Sequence, residues 1–298
     1  MNRKEFFKEQ YSSESYFQKK YSMDHMYIDT TNLKWNKIFG DELKLFLFER
    51  GITKSKDIHL NNLHNEIDGE LLNIADITMI GSEDNRIITS NKDSISLIMF
   101  DFIEKYEKLY HKFIKWLYKD VIKDKDFYFQ RNPTIRVHSA NAKTKFPKWH
   151  ADSFIGHNPK EINVWFGLSD NKNSGFWVSN SVKQSKEWLS HFDFNTEEFI
   201  KESYGNNENF DEFGFNHSFE VKNIFNSLFL FDGRCTHTAD YRTKDTRISI
   251  DIRIIPVDDY EWLIIDDEPL FKGIGRKKAE FRPGHKYGYH EKSAKELL

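Results

Sequence analysis

The chain has 298 residues and a net charge of −3, so its electrostatics give no reason to expect nucleic acid or an anionic membrane as a partner. Charged residues at 31% suit a solvated surface, and 16% aromatics argue against disorder. The length fits one large domain or two smaller ones, either with a sizeable core.

The single cysteine, Cys235, excludes an intrachain disulfide and suits a reducing compartment. A small buried packing residue is its expected role, ahead of a nucleophile. Residues 1–9 are charged but lead into no apolar h-region or cleavage site. No run of about 18 apolar residues occurs, so no transmembrane helix is expected and the location read from the sequence is cytoplasmic.

Residues 1–125 read as a mostly helical layer. Asp41 to Arg50, with acids at its start and Gly51 at its end, predicts a short helix. Ile95, Ile98, Phe102, Tyr106, Leu109, Phe113, Leu117 and Val121 recur at three- and four-residue steps. They predict one long amphipathic helix over 94–121, N-capped by Asp93 or Ser94, that needs a sheet to lie against. From Phe127 the period becomes extended. Strands are predicted at 127–130, 134–138, 161–168, 175–178, 217–221, 227–231 and 246–255, with an insertion of helix-like and polar sequence near 185–215. Short strands bracketed by Gly, Asn and Asp predict a sandwich or jelly-roll core over 126–260. The tail, 261–298, with Gly273, Gly275, Pro283, Gly284 and Gly288, reads as an irregular flap. The simplest organisation is a single catalytic domain, mainly β with α.

The chemistry centres on Trp149-His150-Ala151-Asp152-Ser153. On a strand, His150 and Asp152 would project from one face, giving two thirds of the two-histidine, one-carboxylate set that holds non-haem Fe(II). Among 12 histidines about one or two such pairs arise by chance, and His191-Phe192-Asp193 and His64-Asn65-Glu66 are also present. Context separates them: His64 lies in helical sequence and His191 precedes an apparent helix start, whereas His150 sits among strands. His237, just beyond the strand and turn Leu228–Gly233, is the candidate third ligand.

Along 246–254, Ile248, Ile250, Ile252 and Ile254 occupy one face and Arg247, Ser249, Asp251 and Arg253 the other. A sheet with an apolar inside and a wet outside explains this alternation by itself. If the polar face lines a pocket instead, Arg247 is a two-pronged donor for a carboxylate with Ser249 beside it, and the isoleucines pack against the 94–121 helix.

The combination of His150-x-Asp152, His237 and Arg247-x-Ser249 resembles the Fe(II)/2-oxoglutarate-dependent dioxygenases. Asn163 to Ser169 with Asn173 to Val178 is similar to their phytanoyl-CoA hydroxylase-like branch. Gln130, Pro133, Arg136-Val137-His138 and Gly156-His157 are similar to streptomycin-biosynthesis-type oxygenases of carbohydrate gene clusters. The resemblance covers about residues 128–256. Asn173-Ser174-Gly175 carries an extra turn residue, and Asn180-Ser181-Val182 lacks the usual Gly and His.

The resemblance implies a double-stranded β-helix (cupin-like), with Fe(II) held by His150, Asp152 and His237, and 2-oxoglutarate and O₂ as co-substrates. Arg247 and Ser249 would bind the distal carboxylate of 2-oxoglutarate, with Asn163 and Arg136 as further contacts. It implies hydroxylation of a small polar substrate, a sugar or sugar-derived compound, with release of succinate and CO₂. Family members that halogenate lack the carboxylate that Asp152 supplies here. Arg136 reads equally as the partner of a substrate anion or of a surface acid. Trp165 reads foremost as packing and His157 as a satisfied loop histidine. Two other readings stay open: a cupin-like non-redox metal enzyme such as a sugar isomerase or epimerase, which has no need of Arg247 and Ser249, and a non-catalytic jelly-roll binding module. The oligomeric state has no signature in the sequence.

Overall fold

The computed structural model describes residues 2–67, 79–80, 87–88, 95–138, 140, 149–170, 175–205, 207–239, 245–261, 263–266, 268–269 and 288–298. Asn2 caps α1 (Arg3–Gln10), and a Ser15–Gln18 capping box starts α2 (Tyr16–Tyr21). α3 (Trp35–Glu49) begins earlier than the acids at 41 and 42 suggest, and it stops where expected, at Gly51 with φ +67°.

The long helix expected over 94–121 is divided. It forms α4 (Ile95–Lys105), α5 (Glu107–Trp116) and a π-helical turn, Leu117–Ile122. Tyr106, at φ −108° and ψ 26°, separates the two helices. The apolar spacing survives the break, because Phe102, Phe113 and Leu117 are all buried in one cluster. The expected caps Asp93 and Ser94 lie outside the described residues.

The main sheet is antiparallel. It contains β1 (His25–Asp29), β4 (Phe127–Phe129), β5 (Thr134–His138), β6 (Ile162–Gly167), β9 (Ser227–Asp232) and β11 (Arg247–Pro256). The order is β1-β9-β6-β11-β4, with β5 also pairing β11. A second antiparallel sheet orders β10 (His237–Ala239), β7 (Phe176–Ser179) and β8 (Ser218–Val221), and two short antiparallel pairs, β2–β3 (Met79–Ile80, Ile87–Ile88) and β12–β13 (Ile264–Ile265, Glu268–Pro269), are the other strands among the described residues. The architecture is mixed α/β.

Alternation along each strand sorts the residues between two cores. Ile248, Ile250, Ile252 and Ile254 pack with Val164, Phe166 and the helical Phe102, Phe113 and Leu117. On the opposite face, Trp165, Phe229 and Phe231 meet Phe176 and Val178 of the second sheet. The expected insertion near 185–215 is three helices, α6 (Val182–Ser190), α7 (Thr196–Tyr204) and α8 (Glu208–Asn216), which add Trp188, Phe199 and Phe210 to this inner core. Most of the expected flap, 270–287, lies outside the described residues. At 288–290 the chain joins the main sheet, where Tyr289 bridges Gln130. No helix among the described residues is long and apolar enough to cross a membrane.

Candidate metal centre

His150 and Asp152 do not lie on one strand. His150 forms an isolated antiparallel bridge with His237, each N–H donating to the other's carbonyl at 3.0 and 2.8 Å. Directly opposed residues of such a pair share a face, so the two imidazoles stand together with ring centroids 4.4 Å apart. Asp152 opens a 3₁₀ turn, Asp152–Ile155, after extended Ala151. The turn, not strand alternation, presents the carboxylate to the imidazoles. Its Oδ1 lies 3.8 Å from His150 Nε2 and 3.9 Å from His237 Nε2, and one ligand atom from each residue falls within 4.8 Å of the others.

His237 reaches this place because the Asp232-Gly233 turn carries the chain from the main sheet to the second. Gly233 N–H donates to Glu161 O at 2.9 Å, and a Cβ on Gly233 would sit 2.9 Å from that same oxygen. Only glycine fits so close an approach. His237 Nδ1 lies 3.1 Å from Cys235 O. A proton on Nδ1 donated there leaves Nε2 its lone pair for a metal.

The register of the main sheet supplies the support. Arg253 on β11 pairs directly with Asn163 on β6, so both side chains leave the sheet side by side. Arg253 Nε and Asn163 Nδ2 each donate to Asp152 Oδ2 at 2.9 Å. Asp152 Oδ1 is buried without a hydrogen-bond partner. One carboxylate oxygen is therefore fixed and the other is aimed between two imidazole nitrogens, which suits a divalent ion bound through Oδ1.

A partly open pocket lies on this cluster. Trp165, Phe176 and Phe231 give it apolar walls, while Arg136, His138, Arg247, Asp251 and Arg253 supply its polar lining, and Asn163 also borders it. The polar face of β11 thus lines a pocket, and its isoleucines face the helices. Ser249, between Arg247 and Asp251, is fully buried and its Oγ has no hydrogen-bond partner. Arg136 pairs through Nε with Asp251, an acid of the pocket and not of the surface. Trp165 packs in the inner core and lines the cavity as well.

Burial pushes the Asp152 carboxyl up, but the Arg253 guanidinium, with His157, His237 and His150, outweighs it and holds the group well below the usual carboxylate range. Burial pushes His237 down, with Asp152 opposing, so the imidazole is neutral at pH 7, as a ligand requires. Burial, then Arg247 and Arg136, pushes His138 far down. A second buried chain lies behind the site: His157 Nδ1 is 3.0 Å from Glu161 Oε2, and Tyr289 O–H donates to Glu161 Oε1. His157 is a buried loop histidine with a partner.

The other two sequence pairs go elsewhere. His64 Nδ1 meets Thr246 Oγ1 at 2.8 Å, and His191 terminates α6. The sequence reading missed two features. Arg253 looked like one more polar residue of an alternating strand, and only its register with Asn163 in the folded sheet singles it out. Tyr289 reaches Glu161 across 128 positions, which no local pattern reports.

No protein-family model matches the chain. Streptomycin biosynthesis protein StrG of Streptomyces griseus is 25% identical over 211 residues, covering 69% of this chain and 83% of StrG. The chain resembles the Fe(II)/2-oxoglutarate-dependent oxygenases. Solved structures also align with it at low similarity. An N-substituted L-amino acid dioxygenase of Burkholderia ambifaria, in complex with α-ketoglutarate, is 13% identical with a TM-score of 0.40, over 82% of this chain and 87% of that one. The α-ketoglutarate-dependent carbocyclase SnoK from nogalamycin biosynthesis is 9% identical with a TM-score of 0.38, over 83% and 85%. For the epimerase SnoN of the same biosynthesis the values are 10% and 0.34, and the alignment spans 52% of this chain and about half of SnoN, 56%.

Proposed function

We propose that this chain is an Fe(II)- and 2-oxoglutarate-dependent oxygenase. It would hydroxylate a C–H of a small polar metabolite, a sugar or sugar-derived compound, and release succinate and CO₂. The observation that carries the reading is Asp152 Oδ1, a buried carboxylate oxygen with no hydrogen bond, set between the Nε2 atoms of His150 and His237. That donor set, two imidazoles and one carboxylate on one side, fits iron(II) with positions left for 2-oxoglutarate and O₂. The bound iron supplies the oxidising power.

The chain's own residues have separate tasks. His150, Asp152 and His237 would hold the metal, and Arg253 and Asn163 keep Asp152 oriented. Arg247, six residues along β11 from Arg253, would grip the distal carboxylate of 2-oxoglutarate through its planar fork, with Ser249 as an added donor. Trp165, Phe176 and Phe231 would exclude water from the reacting atoms. Arg136 and Asp251 give the cavity a polar wall suited to a hydroxylated substrate, and they support a sugar-like compound over an apolar one. The two antiparallel sheets around the site would form a double-stranded β-helix (jelly roll). Residues 1–298 would act as a single catalytic domain, working in the cytoplasm on a small molecule.

The test is co-substrate turnover. With Fe(II) and O₂ the protein is expected to convert 2-oxoglutarate to succinate, slowly without substrate and faster with it. His150→Ala should abolish this, and Arg247→Ala should raise the KM for 2-oxoglutarate. Absence of succinate from the iron-loaded wild-type protein contradicts the proposal.

A further inference from the structure

Away from the cavity, the described residues hold one more set of metal-ligating side chains within reach of one another: Glu107, His111 and His290, each offering a ligand atom within 4.8 Å of the others. Glu107 and His111 are four apart on α5, so they stand one above the other on a single helix face. Tyr110, Phe113 and Ile114 of α5 are buried, whereas Glu107 is exposed and His111 half-buried.

His290 comes from the C-terminal segment, and its position is over-determined. Its backbone N–H donates to Phe129 O at 2.9 Å, its ring stacks on Phe129 at 4.9 Å, and the His111 ring meets it edge-on at 5.0 Å. Lys292 N–H donates to His290 Nδ1 at 3.1 Å, and the same nitrogen lies 3.3 Å from the Lys292 carbonyl. Metal binding through Nε2 requires the other tautomer, with the Nδ1 proton donated to the Lys292 carbonyl. Glu291 Oε1, 3.8 Å from that Nε2, supplies a further oxygen.

We propose that Glu107, His111 and His290 form a second metal site, for a zinc-class divalent ion, that fastens the C-terminal segment to α5. Two imidazoles and a carboxylate match the donors zinc takes, and water or Glu291 completes four-coordination. Bonds of about 2.0–2.1 Å require the ligand atoms to close up from their present spacing, and the exposed Glu107 side chain is able to move. The ion would tie together segments distant in sequence. Tyr289, next to His290, holds Glu161, which lies 3.0 Å from His157 behind the first site. Anchoring His290 therefore steadies that buried chain as well. The proposal does not depend on the reaction assigned to the first centre.

Metal-stripped protein titrated with Zn(II) alone tests it, because Zn(II) should enter both sites. Wild-type protein is expected to bind two ions per chain and His150→Ala one. Adding Glu107→Gln or His111→Ala to His150→Ala should weaken the remaining ion by about tenfold or more and remove the rise in Tm that Zn(II) gives His150→Ala. Glu107 is exposed, so its substitution leaves folding intact. If His150→Ala binds no Zn(II), or binds it equally with and without Glu107→Gln and His111→Ala, the second site does not exist.

Discussion

Arg253 Nε donates to Asp152 Oδ2 at 2.9 Å, and in doing so decides which oxygen of Asp152 faces the two histidines. With Asn163 on the same oxygen, Oδ2 is occupied and Oδ1 is the atom left to a metal. Arg253→Met is therefore expected to weaken Fe(II) binding by about 10–100-fold, the usual effect of removing the partner of a metal ligand. Arg253→Lys should recover part of the loss, since a lysine keeps the charge but not the aligned donor. Metal titration by calorimetry checks both. Unchanged affinity in Arg253→Met contradicts the role.

Ser249 separates stability from binding. Its buried Oγ has no hydrogen-bond partner, so Ser249→Ala removes an unsatisfied polar atom and should leave Tm unchanged or slightly raised. The same substitution should raise the KM for 2-oxoglutarate severalfold with little change in kcat. A large fall in Tm would show that the hydroxyl is structural.

Arg234 holds the N-terminal region against the main sheet. Its guanidinium pairs with Asp232 through Nε and one terminal nitrogen, at 2.8 and 2.9 Å, and donates to the carbonyls of Gln10 and Ser13 at 2.7 Å each. Both charged partners are buried. Arg234→Met leaves Asp232 as an uncompensated charge and should cost about 3–5 kcal/mol, measured by denaturant unfolding. A loss under about 1 kcal/mol, typical of an exposed pair, contradicts it.

The metal-free protein should be acid-sensitive in the histidine range. Burial pushes His138, His157 and His237 below the ordinary value of about 6.5. The unfolded chain then binds protons there that the folded chain does not, so stability is complete above that pH and is lost as pH falls below it. Asp152 acts lower: with its folded carboxyl held down, its contribution persists above about pH 3.9 and is lost only as the pH falls further. Tm of the metal-free protein should drop between about pH 7.5 and about pH 5.5. A flat or rising profile on acidification contradicts this.

The strands from 127 to 256 were legible because apolar and polar residues alternate cleanly between turn residues, and the boundaries at 134–138 and 227–232 differ from expectation by a residue or less. β1 was not legible. His25 to Asp29 is short, and it becomes a strand through pairing with β9, more than 190 positions away. His150, Asp152 and His237 come together as the sequence led us to expect, but the geometric reason was wrong for Asp152, because a tight 3₁₀ turn places the carboxylate where strand alternation was invoked. Two histidines from opposed chains, and an arginine chosen by register, are tertiary facts. Tyr106 shows the same limit within a helix, where unbroken apolar spacing concealed a break in the backbone.

We propose that His150, Asp152 and His237 bind iron with 2-oxoglutarate beside it, held by Arg247. Anaerobic titration with Fe(II) and 2-oxoglutarate decides this. A visible metal-to-ligand charge-transfer band is expected in the wild-type protein, absent in His150→Ala and needing more 2-oxoglutarate in Arg247→Ala. A wild-type protein that binds Fe(II) but shows no band at saturating 2-oxoglutarate would contradict it.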